Sequence, residues 1–196
     1  MAENTISDSL LARLRRVISG VSSVYLGQPD LADDDLIVTA VDISETSLTI
    51  AAQPDVPRNI TGLLTDADNS VTATITVKGL DLQGRPVQEV MQVTTGTGKA
   101  FTGTKIFAKV NTAIVTGLSG EAAGDTIQFG SGNVIGLPND IEEAEEVLHT
   151  YVAGAEVTPD AIATGESTSG IDCNGATYDG SKIMHAFIQT AAQVPA

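Results

Sequence analysis

The sequence predicts an all-β protein, an antiparallel β-sandwich preceded by a short N-terminal α-helix. Three observations predict it. Thr, Val and Ile supply 57 of the 196 residues and Gly another 19, the composition of β-branched strands punctuated by turns. In the middle of the chain Val71, Ala73, Ile75 and Val77 alternate strictly with Thr72, Thr74, Thr76 and Lys78, as a half-buried strand requires. Near the start, Leu10, Leu11, Leu14, Val17 and Ile18 instead fall on one helical stripe.

Three segments follow from these patterns. Residues 1–30 form an N-terminal helix or arm. Ser7 is placed to cap it, Asp8 lies in its first turn, and Gly20 reads as its stop. Arg13, Arg15 and Arg16 project from the remaining arc. Two roles stay open for it: packing on its own domain, or docking on another subunit. In the docking role Leu10, Leu14, Val17 and Ile18 are apolar anchors, and the three Arg pair with acidic groups of the neighbour. A membrane-surface role is disfavoured by the acidic body.

Residues 31–138 form the sandwich core. Strands are expected at 36–43, 47–52, 59–65, 70–79, 87–94, 105–116 and 125–129. Pro54-Asp55-Val56-Pro57 makes a rigid corner between two of them. Asp66-Ala67-Asp68-Asn69 and Asp81-Leu82-Gln83-Gly84 are turns by composition. Residues 139–196 form a C-terminal β-rich extension packed on or completing the sandwich. Its stretch 140–152 fits a helix through Ile141, Ala144, Leu148 and Tyr151, and equally a strand entering a hairpin at Gly154. The last strand is expected at 182–190.

Composition excludes several function classes. Ten Lys+Arg against 25 Asp+Glu leave a net charge of -15, which opposes nucleic acid and anionic lipid alike. No stretch has the ~18 apolar residues of a membrane span. The Arg-bearing start does not read as a signal peptide, so synthesis in a cytoplasm is expected. On that basis the Asn59-Ile60-Thr61 sequon carries no meaning. One Cys rules out an intrachain disulfide.

The chemistry-bearing candidates each fall short. Gly96-Thr97-Gly98-Lys99-Ala100 lacks the first glycine and the hydroxyl residue of a phosphate loop, having Val93 and Ala100 there. Asp66-Ala67-Asp68-Asn69-Ser70 begins like a calcium loop, but Val71 and Val77 occupy the required Gly and Glu positions. Asp33-Asp34-Asp35 and the cluster Asp140, Glu142, Glu143, Glu145 and Glu146 read as solvated faces. His149, His185 and Cys173 lie apart in sequence with no ligand-like or base-like neighbours. Gly117-Leu118-Ser119-Gly120-Glu121 lacks the last glycine of a nucleophile elbow. No catalytic residue, cofactor or metal is expected.

Several pieces of the chain resemble one recurring type of protein. They are Ala51-Ala52-Gln53-Pro54-Asp55-Val56-Pro57-Arg58-Asn59, Thr74-Ile75-Thr76-Val77-Lys78-Gly79-Leu80-Asp81-Leu82-Gln83-Gly84, Phe101-Thr102-Gly103-Thr104-Lys105-Ile106-Phe107 and Asp125-Thr126-Ile127-Gln128-Phe129-Gly130, with Val134-Ile135-Gly136-Leu137-Pro138 and Asp179-Gly180-Ser181-Lys182. Together they resemble tailed-bacteriophage virion structural proteins of the capsid decoration, head accessory or cement type. The resemblance implies a β-sandwich without catalysis, located on the capsid surface. Its partners would be the major capsid protein and further copies of itself, with a trimer favoured. The alternatives are another virion component (tail, neck or head-fibre base) and a glycan-binding β-sandwich module. The glycan module requires an exposed aromatic cluster, and the seven aromatics, none of them Trp, look scattered along the chain.

Overall fold

The chain is all-β, and every strand pair among the described residues is antiparallel. The structure is a computed structural model that describes residues 20–66, 68–93, 100–173 and 178–190. The expected helix and its contact residues Leu10, Arg13, Leu14, Arg15, Arg16, Val17 and Ile18 lie outside the described residues, as does most of the glycine-rich stretch 96–100.

The strands form three sheets. The first has the order β1-β14-β10-β11, from β1 (Gly20–Gly27), β10 (Val147–Val152), β11 (Ala155–Glu156) and β14 (Met184–Thr190). The second runs β12-β13-β9-β4-β7, with β2 also paired to β9. Its strands are β2 (Asp33–Asp42), β4 (Arg58–Thr65), β7 (Ala100–Phe107), β9 (Thr126–Gly136), β12 (Ala161–Ala163) and β13 (Gly170–Asp172). The third runs β3-β8-β5-β6, from β3 (Ser47–Leu48), β5 (Thr72–Leu80), β6 (Pro86–Val93) and β8 (Lys109–Ser119).

Two hydrophobic cores hold these sheets. The larger joins Ile37, Val38, Ile60, Leu64, Phe107, Ile127 and Phe129 of the second sheet to Ala73, Ile75, Val77, Val87, Met91, Val110 and Val115 of the third. Each Val, Leu, Ile, Phe or Met among them contributes about 1.5–3 kcal/mol on burial. The smaller joins Leu26, Val152, Met184, Ala186 and Ile188 of the first sheet to Ile135, Leu137, Ile141, Ile171 and Tyr178. β9 enters both cores, with Ile127 and Phe129 in one and Ile135 in the other.

The alternation in β5 is realised as its sequence requires. Val71, Ala73, Ile75 and Val77 are buried, Thr72 is exposed, and Thr74 and Thr76 are half-buried. Other elements differ from expectation. Gly20 opens β1, which pairs with β14 from Gly20↔Thr190 to Gly27↔Met184. Residues 20–27 of the expected arm are therefore sheet, joined to the far end of the chain. The strand expected over 105–116 is two strands, broken at Ala108, whose N–H donates to the Leu80 carbonyl at 2.8 Å. The strand expected over 47–52 shrinks to Ser47–Leu48, because the Ala51 N–H leaves to bond the Ile37 carbonyl. The open choice at 140–152 resolves as a 3-10 turn, Ala144–Glu146, followed by β10.

Candidate interaction surface

The first sheet buries one face and presents the other. Along β14, Met184, Ala186 and Ile188 point into the smaller core, so His185 and Phe187 point outward. Register places Tyr25 of β1 and Tyr151 of β10 on either side of His185, and Ser23 and His149 on either side of Phe187. Tyr25 meets His185 at 5.4 Å between ring centroids, and Tyr151 meets Phe187 at 5.8 Å. Val21 and Tyr25 are each 60% exposed. Both His, two of the three Tyr and one of the four Phe thus share one face.

That grouping corrects the expectation of scattered aromatics. No local signal could have found it, because β1 lies more than a hundred positions from β10 and β14 in sequence. His149 Nδ1 lies 2.6 Å from Glu156 Oε1 across the β10–β11 hairpin, with both groups exposed. Cys173 is away from these rings and fully buried. Burial first, and then the nearby Asp172 charge, push its thiol up to about 11. Its N–H donates to the Tyr178 hydroxyl at 3.0 Å.

A groove of about 690 Å³ lies on another side, lined by Asp30, Asp33, Asp34, Gln53, Asp55 and Ser131 among others. The carboxylate oxygens of Asp33, Asp34 and Asp35 lie within 4.8 Å of one another. A hydrogen bond to Asp33 and then the Asp33 charge raise the pKa of Asp35. Asp34 already accepts from the Gln128 amide at 3.0 Å, and Asp33 accepts from the Asp35 N–H. Such bonded, solvent-facing carboxylates are an acidic rim.

Beneath that groove is a residue that sequence reasoning missed. Arg58 is fully buried at the start of β4. Its guanidinium donates to the Asp30 carbonyl at 3.0 Å and to Ser131 Oγ at 3.2 Å, and lies 3.4 Å from Asp55. One charge therefore ties the β1–β2 connection, the proline corner and β9. Burial lowers its pKa and Asp55 opposes the shift. The available signal was Asp55 three residues before Arg58.

Its neighbours act as further ties. The Asn59 amide donates to the Gly103 carbonyl and accepts from the Val134 N–H, both at 3.0 Å. Asn59 is buried, so the sequon it heads is inaccessible in the folded chain. The Gln53 amide both donates to the Val110 carbonyl and accepts from its N–H. On β6, Glu89 occupies an inward position of the alternation. Its carboxylate accepts from the N–H groups of Thr104 and Lys105 and from the Thr104 hydroxyl, joining the third sheet to β7 of the second.

No protein-family model, curated protein or solved structure matches this chain.

Proposed function

We propose that the chain is a non-enzymatic structural protein of a tailed-phage virion, binding the capsid surface as a decoration or cement protein. In this reading the second and third sheets form the two layers of an antiparallel β-sandwich, supported by the core they share. One observation carries the proposal furthest. The pieces behind the phage resemblance contain the buried polar ties Arg58, Asn59 and Asp81 and the surface tie Gln53. A capsid cement needs such rigidity, since it must hold its shape while bridging coat subunits. An acidic outer surface also keeps particles from associating.

The glycan-binding alternative now has the aromatic cluster it lacked. The ring geometry works against it. Tyr25 and His185 meet at 60° and Tyr151 and Phe187 at 78°, so these pairs offer edges and no flat platform for a pyranose. A face of this kind suits protein side chains better.

Cryo-electron microscopy of native particles tests the proposal. Density for the three-sheet body over the coat lattice is expected. The same body at the tail, neck or fibre base would move the protein to another virion component. Particles devoid of the chain by mass spectrometry would overturn the virion reading.

A further inference from the structure

We propose that residues 7–18 of one copy dock on the outer face of the first sheet of a second copy. The inference stands on the residues alone and does not rest on the virion reading.

One apolar surface is uncovered among the described residues, and a second is written in the sequence just before it. One is the outer face of the first sheet, with Val21 and Tyr25 each 60% exposed beside Tyr151, His185 and Phe187. The other is the stripe of Leu10, Leu11, Leu14, Val17 and Ile18. Their sizes agree. In the helix that the sequence predicts, the stripe from Leu10 to Ile18 would rise about 12 Å. The face from Val21 to Tyr25, taken across three strands, measures about 13 by 10 Å.

Their charges agree as well. Three of the ten Lys+Arg side chains are Arg13, Arg15 and Arg16. The 3-10 turn Ala144–Glu146 leads into β10 at Val147, which pairs with Ile188, two residues from the Gly20 partner Thr190. Glu145 and Glu146 of that turn therefore stand at the Val21 end of the face, with Glu142 just before the turn in sequence. None of these three has a basic partner among the described residues. Copies with a net charge of -15 repel one another, and a cationic segment meeting an acidic turn offsets that repulsion and sets the orientation.

The tether favours a second copy over self-docking. Only Ser19 separates Ile18 from Gly20, the first residue of β1. A helix on a sheet runs about 10 Å above it, the spacing of packed layers. Climbing that distance takes about three extended residues at ~3.3–3.6 Å each. Self-docking would lift Val17 and Ile18 off the face, whereas a segment from another copy reaches it without that constraint.

The test is disulfide trapping in the full chain. Two differently tagged forms, one with Leu14→Cys and one with Tyr25→Cys, are produced together and oxidised. A covalent species carrying both tags is expected, with its yield falling at least fivefold when Arg13, Arg15 and Arg16 are changed to Glu. Light scattering should show an oligomer that Leu14→Asp dissociates. A third form carrying both Leu14→Cys and Tyr25→Cys is oxidised alone, and closure within that one chain, with no two-tag species from the mixed forms, would assign the face to the chain's own segment and overturn the proposal. Absence of any trapped species would overturn it too. So would protection of Tyr25 from surface labelling that appears only when coat shells are added.

Discussion

Arg85 Nε donates to Asp81 Oδ2 at 2.6 Å across the turn between β5 and β6. The same guanidinium reaches Asp140 at 3.0 Å and Glu166 at 3.6 Å. Asp81 is buried, and it also accepts from the N–H groups of Gln83 and Arg85. One side chain thereby joins a hairpin of the third sheet to two loops near the smaller core. Arg85→Ala is expected to lower the thermal midpoint by several degrees. Lys182→Ala, which removes a local pair with Asp179, should lower it less. Parallel melts of the two variants check this ranking.

Acid should unfold the protein from below pH 4. Burial alone would raise the pKa of Asp81 and Asp66, but hydrogen bonds outweigh it and both end below the ordinary 3.8. Hydrogen bonds from Ser181 and Lys182 take Asp179 from 3.8 to about 2. A folded-state pKa below the unfolded one means that the native chain binds fewer protons. These groups therefore stabilise the fold above the unfolded value, and that contribution fades as pH falls through 3.8 towards 2. Denaturation midpoints measured between pH 6 and pH 2 should be flat at first and then fall. Asp179→Asn should flatten part of that fall.

Arg58→Ala is expected to cost about 3 kcal/mol, the lower end for breaking a buried pair, because Asp55 keeps some access to water. Arg58→Lys should recover only part of this, since an ammonium cannot reach Asp30, Ser131 and Asp55 in the same fork. Urea titration of the three proteins measures both differences. Equal stability of Arg58→Ala and the parent would show that Arg58 does not tie these segments.

Glu89→Ala should cost about 1–3 kcal/mol by leaving the Thr104 and Lys105 N–H groups without their acceptor. Glu89→Gln keeps one acceptor oxygen and should cost less. Hydrogen exchange at those two amides, faster in Glu89→Ala, would localise the effect to β7.

Cys173 should resist thiol reagents while the chain is folded. Its thiol is buried and its pKa is pushed up to about 11, so thiolate is scarce at neutral pH. Labelling with an aromatic disulfide at pH 8 should proceed only after denaturant is added. Rapid labelling of the folded chain would contradict the buried placement.

Legibility in the sequence tracked the range of the interactions. β5 was readable because its alternation is local, and the Asp66 and Asp81 turns because their carboxylates accept from N–H groups two to five residues on. The inward parity of Glu89 was readable too, but not its acceptance of N–H groups fifteen residues away. The first sheet was illegible because β1 finds its partner at the opposite end of the described chain. The aromatic face follows from that same pairing, which gathers Tyr25, Tyr151 and His185 across three strands.

In the proposed function this chain works by binding a capsid surface. Co-sedimentation with shells assembled from the major capsid protein alone tests it most directly. Saturable binding that raises the melting temperature of the shells is the predicted result. Protein left in the supernatant at all concentrations, with shell melting unchanged, would contradict the account.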